Sequence, residues 1–249
     1  MRVSAYIPAR FGSTRFPGKP LARDTGKYLI QHVYEAVRRA RRIDSCVVCT
    51  DDERILVAVR SFGGEAVMTR SDHASGTDRI AEAVSRASSS PPDVVLNVQG
   101  DEPEIDPAHL DRLVERLESS PGCEVATLAS AFPSDADPSD PNCVKVVLRR
   151  DGNALYFSRA RIPYRRDANT AIDAPPYLLH LGVYAYRREF LLEMASWPAA
   201  RLEEIERLEQ LRVLEHGRSI AVVTVSHAAP GIDTEPEYRA FVERCTRRG

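Results

Sequence analysis

The residues best suited to chemistry lie in a cation-rich segment near the start of the chain. Between Pro8 and Pro20 the sequence contains two glycines, three prolines and three cations, namely Arg10, Arg15 and Lys19. Turn-forming residues let backbone N–H groups approach a phosphate closely, and the cations add charge-assisted hydrogen bonds. The pattern of a P-loop is absent, because a proline follows the lysine. The segment therefore indicates triphosphate binding, and a solvated basic surface loop is the alternative.

Acidic residues follow an apolar run in the middle of the chain. Residues 94–98 are typical of a buried strand and lead into Gln99-Gly100-Asp101-Glu102. Mg²⁺ prefers one or two carboxylates and takes its remaining ligands from water and phosphate. Asp101 is therefore a candidate metal ligand, and Gly100 would allow a ligand to approach closely. An ordinary acidic turn, or a cap of the helix predicted from Pro107, explains the same residues.

A second candidate carboxylate lies near the end of the chain, at Asp233 in Gly231-Ile232-Asp233-Thr234. It would complete a metal site if it met Asp101 in space. The alternative is that Asp233 or Thr234 caps a C-terminal helix that begins near Glu235.

Strand and helix patterns alternate through the first half of the chain. The predicted strands are 3–7, 46–50, 65–68 and 94–98, and the predicted helices are 28–41, 77–87 and 107–117. A further helix is predicted after Asp51 and Asp52, which would cap it. Such alternation predicts a mainly parallel sheet with helices on both faces. Ligands bind at the carboxyl ends of such strands, so Arg10, Asp51 and Asp101 are expected on one rim.

The second half has a different pattern. Strands are predicted at 125–129, 144–148, 154–157 and 182–186, and polar, proline-containing loops at 133–141 and 165–176. A helix is predicted over 202–214, with Leu202, Ile205 and Leu208 facing inward and Glu209 at the edge of this apolar stripe. Because no Gly/Ser linker separates the halves, we predict one domain whose second half is a mixed-sheet extension and substrate lid.

Composition excludes several classes of protein. The chain has 249 residues, a formal net charge of −2 and an isoelectric point near 6.3, which argues against binding to nucleic acid or an anionic membrane. No signal peptide or membrane span is predicted, so a cytoplasmic location is expected. Cys46 and Cys49 have C-x-x-C spacing but lie in a predicted buried strand. They are interpreted as structural thiols and not as a zinc or redox pair.

A series of motifs resembles the 3-deoxy-manno-octulosonate (Kdo) cytidylyltransferase family, the CMP-Kdo synthetases, over residues 7–237. The motifs are Pro8-Ala9-Arg10, Ser13-Thr14-Arg15-Phe16-Pro17-Gly18-Lys19-Pro20-Leu21, Ser75-Gly76-Thr77-Asp78-Arg79, Asn97-Val98-Gln99-Gly100-Asp101-Glu102-Pro103, Tyr156-Phe157-Ser158-Arg159, His180-Leu181-Gly182-Val183-Tyr184 and Leu208-Glu209-Gln210-Leu211-Arg212. Departures from the family pattern include Phe16, where leucine is usual, and Tyr164-Arg165-Arg166.

The resemblance implies a Rossmann-like, GT-A-like nucleotidyltransferase fold, with a mixed, mostly parallel sheet, helices on both faces and a sugar-binding and dimerisation extension. It implies transfer of CMP from CTP to Kdo for lipopolysaccharide biosynthesis, Mg²⁺ as cofactor and a homodimer formed through the second half. Within one domain it implies a nucleotide-binding half at 1–125, a sugar-binding and dimerisation extension at 126–220, and a C-terminal part at 221–249 that carries the metal aspartate.

The resemblance also implies roles for individual residues. Expected to bind CTP are Pro8, Ala9, Arg10, Arg15, Lys19, Arg70, Ser75, Gly76 and Gln99. Expected to line the sugar site are Gln99, Arg159, His180, Tyr184, Glu209 and Gln210. Arg10, Lys19 and Asp101 are expected to be catalytic, and Asp101 and Asp233 to bind Mg²⁺. Bland alternatives are a surface cation for Arg159, a satisfied core histidine for His180 and simple packing for Tyr184.

Two other functions fit the same residues. The first is a cytidylyltransferase that acts on another acidic acceptor, such as 8-amino-Kdo, a sialic-type acid or a phosphonate. The second is a nucleotide-sugar-binding regulator without turnover. The retention of Lys19, Asp101 and Asp233 argues against the regulator, because binding alone does not require metal ligands. No side-chain general base is evident, so activation of the attacking hydroxyl by metal is the favoured mechanism.

Overall fold

The computed structural model describes residues 1–12, 15–87, 91–133, 136–166 and 177–248. Ser13 and Thr14 of the predicted phosphate loop, 134–135 of the predicted loop at 133–141, and 167–176 of the predicted loop at 165–176 lie outside the described residues. The chain divides into two compact units. The first comprises Met1–Asp111, Arg187–Ala195 and Ala229–Gly249, and the second comprises Arg112–Tyr186 and Ser196–Ala228.

Parallel strands form the sheet of the first unit. They are β1 (Val3–Ala9), β2 (Ser45–Thr50), β3 (Glu65–Met68) and β4 (Val94–Asn97), in the order β3-β2-β1-β4. Residues on both faces of β1 and β4 are buried, as their continuous apolar sequences predict. β1 continues through Pro8, which was predicted to end it. Pro8 lies where β4 has already ended, so its missing N–H removes no ladder bond on that side.

Helices of the first unit connect these strands. They are α1 (Leu29–Arg38), α2 (Glu53–Ser61), α3 (Gly76–Arg86), α4 (Pro107–Glu118), within which the chain passes into the second unit, α5 (Arg188–Ala195) and α8 (Glu235–Arg248). The Asp52 carboxylate caps α2 by accepting from Arg54 N at 2.9 Å, which confirms the predicted cap. The predicted C-terminal helix is also confirmed, because α8 begins at Glu235.

A mixed sheet forms the second unit. Its strands are β5 (Val125–Ala131), β6 (Lys145–Leu148), β7 (Ala154–Ser158), β8 (Leu178–Arg187) and β9 (Ile220–Val225). β5 pairs antiparallel with β8 and parallel with β9, while β6 pairs antiparallel with β7 and β8. The mixed sheet was predicted, but β9 was not. Buried and exposed residues do not alternate along β5, because Val125 to Ser130 are all buried.

The predicted helix over 202–214 is wrong. Two short helices, α6 (Arg201–Glu206) and α7 (Gln210–Glu215), occupy this stretch, and Arg207 between them has a left-handed backbone with φ of 54°. Ile205, predicted to face inward, is 66% exposed, although Leu208 is buried. The Arg212 guanidinium donates to both oxygens of the buried Glu203 carboxylate at 2.6 and 2.7 Å. This ion pair joins the two helices, and apolar spacing alone does not indicate it.

Cys46 and Cys49 are free and buried in β2, which confirms that they are structural thiols. Burial raises the pKa of both thiols well above the usual range, so neither forms a reactive thiolate at neutral pH. Across the described ranges of the chain, no helix is both long and apolar enough to cross a membrane.

Candidate active site

The loop after β1 is shaped by an aromatic ring and a glycine. Gly18 N donates to Phe11 O at 3.1 Å, and Gly18 has φ of 71°. A Cβ at this glycine would lie 3.1 Å from the Phe11 ring, while the Arg54 guanidinium lies over the ring at 3.4 Å from its centroid. Positive φ and close approach both favour glycine here. The loop therefore turns back on itself and presents Lys19, the first residue of a short 3₁₀ turn (Lys19–Leu21).

Lys19 joins three distant parts of the sequence. Its Nζ donates to Ile232 O at 2.6 Å and Asp101 Oδ2 at 2.9 Å, and it lies 3.4 Å from Asp233 Oδ1. Ile232 N donates to Asp101 O at 2.9 Å, which fixes the two acidic segments side by side. Asp101 and Asp233 therefore meet in space, at one ammonium group. Their role as metal ligands stays a prediction.

The C-terminal segment is held in this position by packing. Ile232 is buried with Leu29, Tyr238 and Phe241, and Phe16 from the loop packs against this cluster with its ring 5.4 Å from that of Tyr238. The departure from the family's leucine at position 16 therefore keeps an apolar contact between the loop and α8.

The start of α8 directs the Asp233 side chain. The Glu237 carboxylate accepts from the backbone N–H groups of Asp233 and Thr234, both at 2.8 Å. The Asp233 carboxylate contacts Lys19, and its Oδ2 lies 3.0 Å from a terminal nitrogen of Arg15.

A cavity of about 270 Å³ opens at the carboxyl ends of β1 and β4. It is lined by Pro8, Ala9, Arg10, Arg15, Lys19, Pro20, Gln99, Gly100, Asp101 and Asp233. All of these except Pro20 and Gly100 are residues to which the sequence assigned a binding or catalytic role. Asp51, expected on the same rim, follows β2 but pairs with Arg79 at 2.8 Å and does not line the cavity.

Glycine is required at position 100 because the backbone there lies close to the backbone carbonyl of Pro8. A Cβ at this position would lie 3.0 Å from Pro8 O and 3.5 Å from Ile30 Cδ1. A side chain here would push apart the loop of Lys19 and the loop of Asp101. The sequence interpretation assigned this glycine to ligand approach, whereas the contact that excludes a side chain is the Pro8 carbonyl.

Negative charge is concentrated beside Lys19. Burial, together with the nearby Asp101 and Asp233, raises the pKa of Glu102 to about 8, so this carboxyl holds its proton at pH 7 in the ligand-free chain. Three carboxyl groups thus lie close together, and the cations that contact two of them are Lys19 and Arg15. Sequence reasoning missed Glu102, although its position next to Asp101 was a usable signal.

Three residues expected to bind CTP, Arg70, Ser75 and Gly76, lie in the segment that leads into α3. Arg70 Nε donates to Asp72 at 2.9 Å, and the Ser75 hydroxyl caps α3 by accepting from Asp78 N at 3.1 Å. A Cβ at Gly76 would lie 3.1 Å from Pro8 Cγ, so α3 begins directly against the end of β1. None of these three predicted residues lines the cavity.

Buried Arg79 anchors this segment, and sequence reasoning assigned it no separate role. Its guanidinium donates to Thr69 Oγ1 at 2.6 Å and to Asp51 Oδ2 at 2.8 Å. The contacts link α3 to the residues that follow β2 and β3. Arg79 therefore fixes the backbone around Arg70, whose carbonyl it also contacts at 3.4 Å.

The second unit contains most of the residues expected to bind sugar. His180 is buried, and its Nε2 lies 3.0 Å from the Thr127 hydroxyl, which itself donates to Val183 O at 2.9 Å. The hydroxyl therefore accepts from the imidazole N–H. Burial lowers the pKa of His180 to about 3, so the ring is neutral at pH 7. These contacts are those of a satisfied core histidine, and its sugar-binding role stays a prediction.

Tyr184, Glu209 and Gln210 lie near one another in the second unit. Burial, with the neighbouring Tyr186 and Glu209, raises the pKa of the Tyr184 phenol. Gln210 is 6% exposed, and within the described part of the chain its buried Nε2 has no hydrogen-bond partner. A buried, unpaired amide is costly unless a ligand completes it. Arg159, by contrast, binds three backbone carbonyls of the protein.

A family model for cytidylyltransferases matches residues 5–220. The chain belongs to the cytidylyltransferase family. As a member, it is a CTP-utilising nucleotidyltransferase, which confirms the predicted enzyme class.

Two curated relatives of this cytidylyltransferase align over nearly their whole length. The 3-deoxy-manno-octulosonate cytidylyltransferase of Syntrophobacter fumaroxidans is 51% identical over 97% of this chain and 96% of its own. The 8-amino-3,8-dideoxy-manno-octulosonate cytidylyltransferase of Shewanella frigidimarina is 49% identical over 96% of both chains.

A solved structure extends the likeness to three dimensions. A CMP:2-keto-3-deoxy-manno-octonic acid synthetase complexed with CTP matches all of this chain and all of its own with a TM-score of 0.93 and 40% identity. The predicted resemblance and the predicted nucleotidyltransferase fold, with its mixed, mostly parallel sheet, are therefore confirmed.

Replacement of Asp233 by asparagine tests whether Arg15 and Lys19, which pair with Asp233, bind the triphosphate. Without divalent metal, a triphosphate must compete with Asp233 for Arg15 and Lys19. We therefore expect Asp233→Asn to bind CTP in EDTA roughly three- to tenfold more tightly than the parent, as measured by calorimetry. The control is Asp151→Asn, since Asp151 pairs with Arg149 at 2.7 Å and is similarly exposed. Unchanged or weaker binding of CTP would show that these cations do not meet the triphosphate.

The buried His180 predicts a dependence of stability on pH. Its folded pKa of about 3 lies below the ordinary value of 6.5, so only the unfolded chain takes up a proton as the pH falls through 6.5. This histidine should therefore lower the free energy of unfolding by on the order of 1–2 kcal/mol between pH 6.5 and pH 5. His180→Gln keeps an N–H donor without a titrating group. Its urea unfolding, compared with the parent, should lack this component.

The control for that measurement is His227→Gln, which removes an exposed histidine of the second unit. It should retain the parent's pH dependence. If His180→Gln also retained it, His180 would be protonated in the folded chain and the buried, neutral description would be wrong.

Proposed function

We propose that this cytidylyltransferase transfers CMP from CTP to Kdo, giving CMP-Kdo and pyrophosphate for lipopolysaccharide biosynthesis. The observation that carries the proposal is the Lys19 ammonium held by Asp101 and Asp233 in a cavity that Arg10 and Arg15 also line. The Kdo cytidylyltransferase at 51% identity and the CTP-bound synthetase at 40% identity support it. By the family resemblance, the proposal extends to a homodimer located in the cytoplasm.

The chemistry of the donor set at Asp101 and Asp233 fits Mg²⁺. Two carboxylates that converge on one cation supply hard oxygen ligands of the kind that Mg²⁺ prefers. We propose that Asp101 and Asp233 hold the metal. When bound, Mg²⁺ supplies charge neutralisation at the α-phosphate and lowers the pKa of a nearby hydroxyl.

The chain's own cations then act on the nucleotide. We propose that Arg15 and Lys19 exchange their carboxylate partners for phosphate oxygens and that Arg10 binds the triphosphate beside them. The anomeric hydroxyl oxygen of the sugar forms a bond to the α-phosphorus and gives up its proton to solvent, and the bond between the α-phosphorus and the bridging oxygen breaks. Pyrophosphate leaves with the electron pair. Lys19 and Arg10 stabilise the negative charge that develops in this in-line displacement.

The acceptor-side residues supply orientation. The buried Gln210 Nε2, which lacks a protein partner in the described ranges, offers an N–H to a sugar oxygen, and Glu209 accepts from sugar hydroxyls. Gln99, whose Nε2 donates to Asn97 Oδ1 at 2.8 Å, keeps its carbonyl oxygen for a ligand in the cavity. These groups bind and orient, and none is proposed to act as general base.

A second candidate acceptor is favoured by one observation. The relative from Shewanella frigidimarina, 49% identical, is an 8-amino-3,8-dideoxy-manno-octulosonate cytidylyltransferase. An ammonium group on that sugar requires an anionic or carbonyl partner, which Glu209 can provide as well as it can bind a hydroxyl. Both acceptors carry the carboxylate beside the anomeric carbon, so the CTP-side chemistry is the same.

Release of pyrophosphate from CTP with a panel of acidic sugars tests the acceptor. With Mg²⁺, we expect kcat/KM for Kdo to exceed that for 8-amino-Kdo and sialic acid by at least about tenfold, since a site that pairs every polar group of one acceptor leaves groups of another acceptor unpaired. Preference for the amino sugar would assign the second candidate. An absence of pyrophosphate with every acceptor would favour a regulator that binds nucleotide sugar without turnover.

Substitution of Asp101 separates metal binding from nucleotide binding. Asp101→Asn removes the charge that holds the metal but leaves Arg10, Arg15 and Lys19 in the cavity. Turnover should fall at least about a hundredfold, while CTP binding in EDTA should tighten and not weaken, because Asp101 is lost as a competitor for Lys19. Mn²⁺ binding, followed by electron paramagnetic resonance, should weaken in parallel with turnover. A fully active Asp101→Asn enzyme would refute the metal role.

A further inference from the structure

Hydrogen bonds from other segments of the second unit hold the end of β7 in place. The Ser158 hydroxyl donates to Glu206 Oε1 at 2.6 Å, and Arg159 N donates to Glu206 Oε2 at 2.9 Å. The fully buried Lys145 donates its ammonium to Arg159 O at 2.6 Å, and to the carbonyls of Cys143 at 2.6 Å and Asp140 at 3.0 Å. Both backbone groups of Arg159 are therefore paired, and the position of this residue is fixed.

The Arg159 side chain in turn donates hydrogen bonds to carbonyls at the end of α6. Its Nε donates to Glu206 O at 2.6 Å, one terminal nitrogen to Arg207 O at 3.2 Å and the other to Pro141 O at 2.8 Å. Carbonyls at the last turn of a helix lack intrahelical partners, and a guanidinium satisfies them here. We call the hydrogen bonds that join Glu206 and Arg207 to Ser158 and Arg159 the Glu206 clamp.

The clamp surrounds the one strained turn in this region. Arg207 has φ of 54°, a left-handed conformation that is sterically unfavourable for a residue with a side chain. The turn ends α6, since the Arg207 N–H caps Glu203 O, and α7 begins three residues later at Gln210. The backbone direction at Arg207 therefore sets where Glu209 and Gln210 lie.

We propose that Glu206 is a positioning residue for the acceptor sugar. Through the Glu206 clamp it holds the left-handed turn at Arg207 and so aims Glu209 and Gln210 at the acceptor. No role in binding or catalysis was expected of Glu206 from the sequence, and its carboxylate is fully used by Ser158 and Arg159. The inference rests on the proposed function, because it takes Glu209 and Gln210 as acceptor-binding groups.

Substitution of Glu206 tests the proposal through Michaelis constants. Glu206→Ala removes both acceptors of the clamp, so the KM of Kdo should rise at least about tenfold, because small misplacement of binding groups is expensive. The KM of CTP should stay within about twofold, since its predicted residues lie in the first unit. Glu206→Gln retains an oxygen for Arg159 N and should lie closer to the parent. Glu204→Ala, at an exposed glutamate of the same helix, is the matched control.

The turn itself supplies a second, independent pair of variants. The clamp uses only the backbone carbonyl of Arg207, so its side chain can be exchanged without loss of a clamp contact. Arg207→Gly adopts the left-handed conformation freely and should keep the parent's KM for Kdo. Arg207→Val, with a branched side chain that disfavours this conformation, should raise the KM of Kdo as Glu206→Ala does. If Glu206→Ala does not fold, the KM of Kdo in Glu206→Gln, Arg207→Gly and Arg207→Val tests the proposal instead.

The outcomes separate the inference from the proposed function. An active parent whose KM for Kdo is unchanged in Glu206→Ala and Arg207→Val overturns the inference alone. A rise in both Michaelis constants, or a fall in kcat alone, also overturns it, because either result reports general damage and not acceptor placement. A parent that releases no pyrophosphate with any acidic sugar overturns the proposed function and the inference with it.

Discussion

The ammonium group of Lys19 is the point at which the nucleotide side of this enzyme is assembled. It binds the Ile232 carbonyl and contacts the carboxylates of Asp101 and Asp233, and so it ties the loop after β1 to segments 82 and 214 residues away in sequence. Because Lys19 is only 12% exposed, these contacts lie in a medium where unpaired charge is costly. The loop, the acidic turn after β4 and the start of α8 therefore fold as one electrostatic unit.

The same interaction explains how the two acidic segments lie side by side. Asp101 and Asp233 would repel one another without a cation, and both add to the effect of burial in raising the pKa of Glu102. Lys19 and Arg15 supply the missing positive charge. By the proposed function, phosphate would take the place of the carboxylates at Lys19 and Arg15, and metal would take the place of these cations at Asp101 and Asp233. Positive and negative charge would then stay paired on both sides of the site.

The sequence predicted the parallel sheet of the first unit well, because continuous apolar strands and capped helices are local signals. The meeting of Asp101 with Asp233 required more, since it depends on the buried contact of Ile232 with Tyr238 and Phe241 across the length of the chain. Glu102 was missed for a related reason: its pKa depends on two neighbours that only the fold provides. The helix over 202–214 failed because a periodic apolar stripe does not reveal the left-handed turn at Arg207.

Hydrogen bonding distinguishes residues that build the acceptor side from residues that are left for a ligand. Arg159, expected from the family resemblance to line the sugar site, donates its guanidinium to three carbonyls and has both backbone groups paired. His180 has likewise found Thr127 as its partner. Gln210 is also buried, but within the described ranges its Nε2 has no hydrogen-bond partner. A buried polar group without a partner destabilises the fold, and the proposed binding of a polyhydroxylated sugar would remove that cost. The unsatisfied amide is thus the better candidate for contact with the acceptor, and the satisfied arginine is the better candidate for a structural role around it.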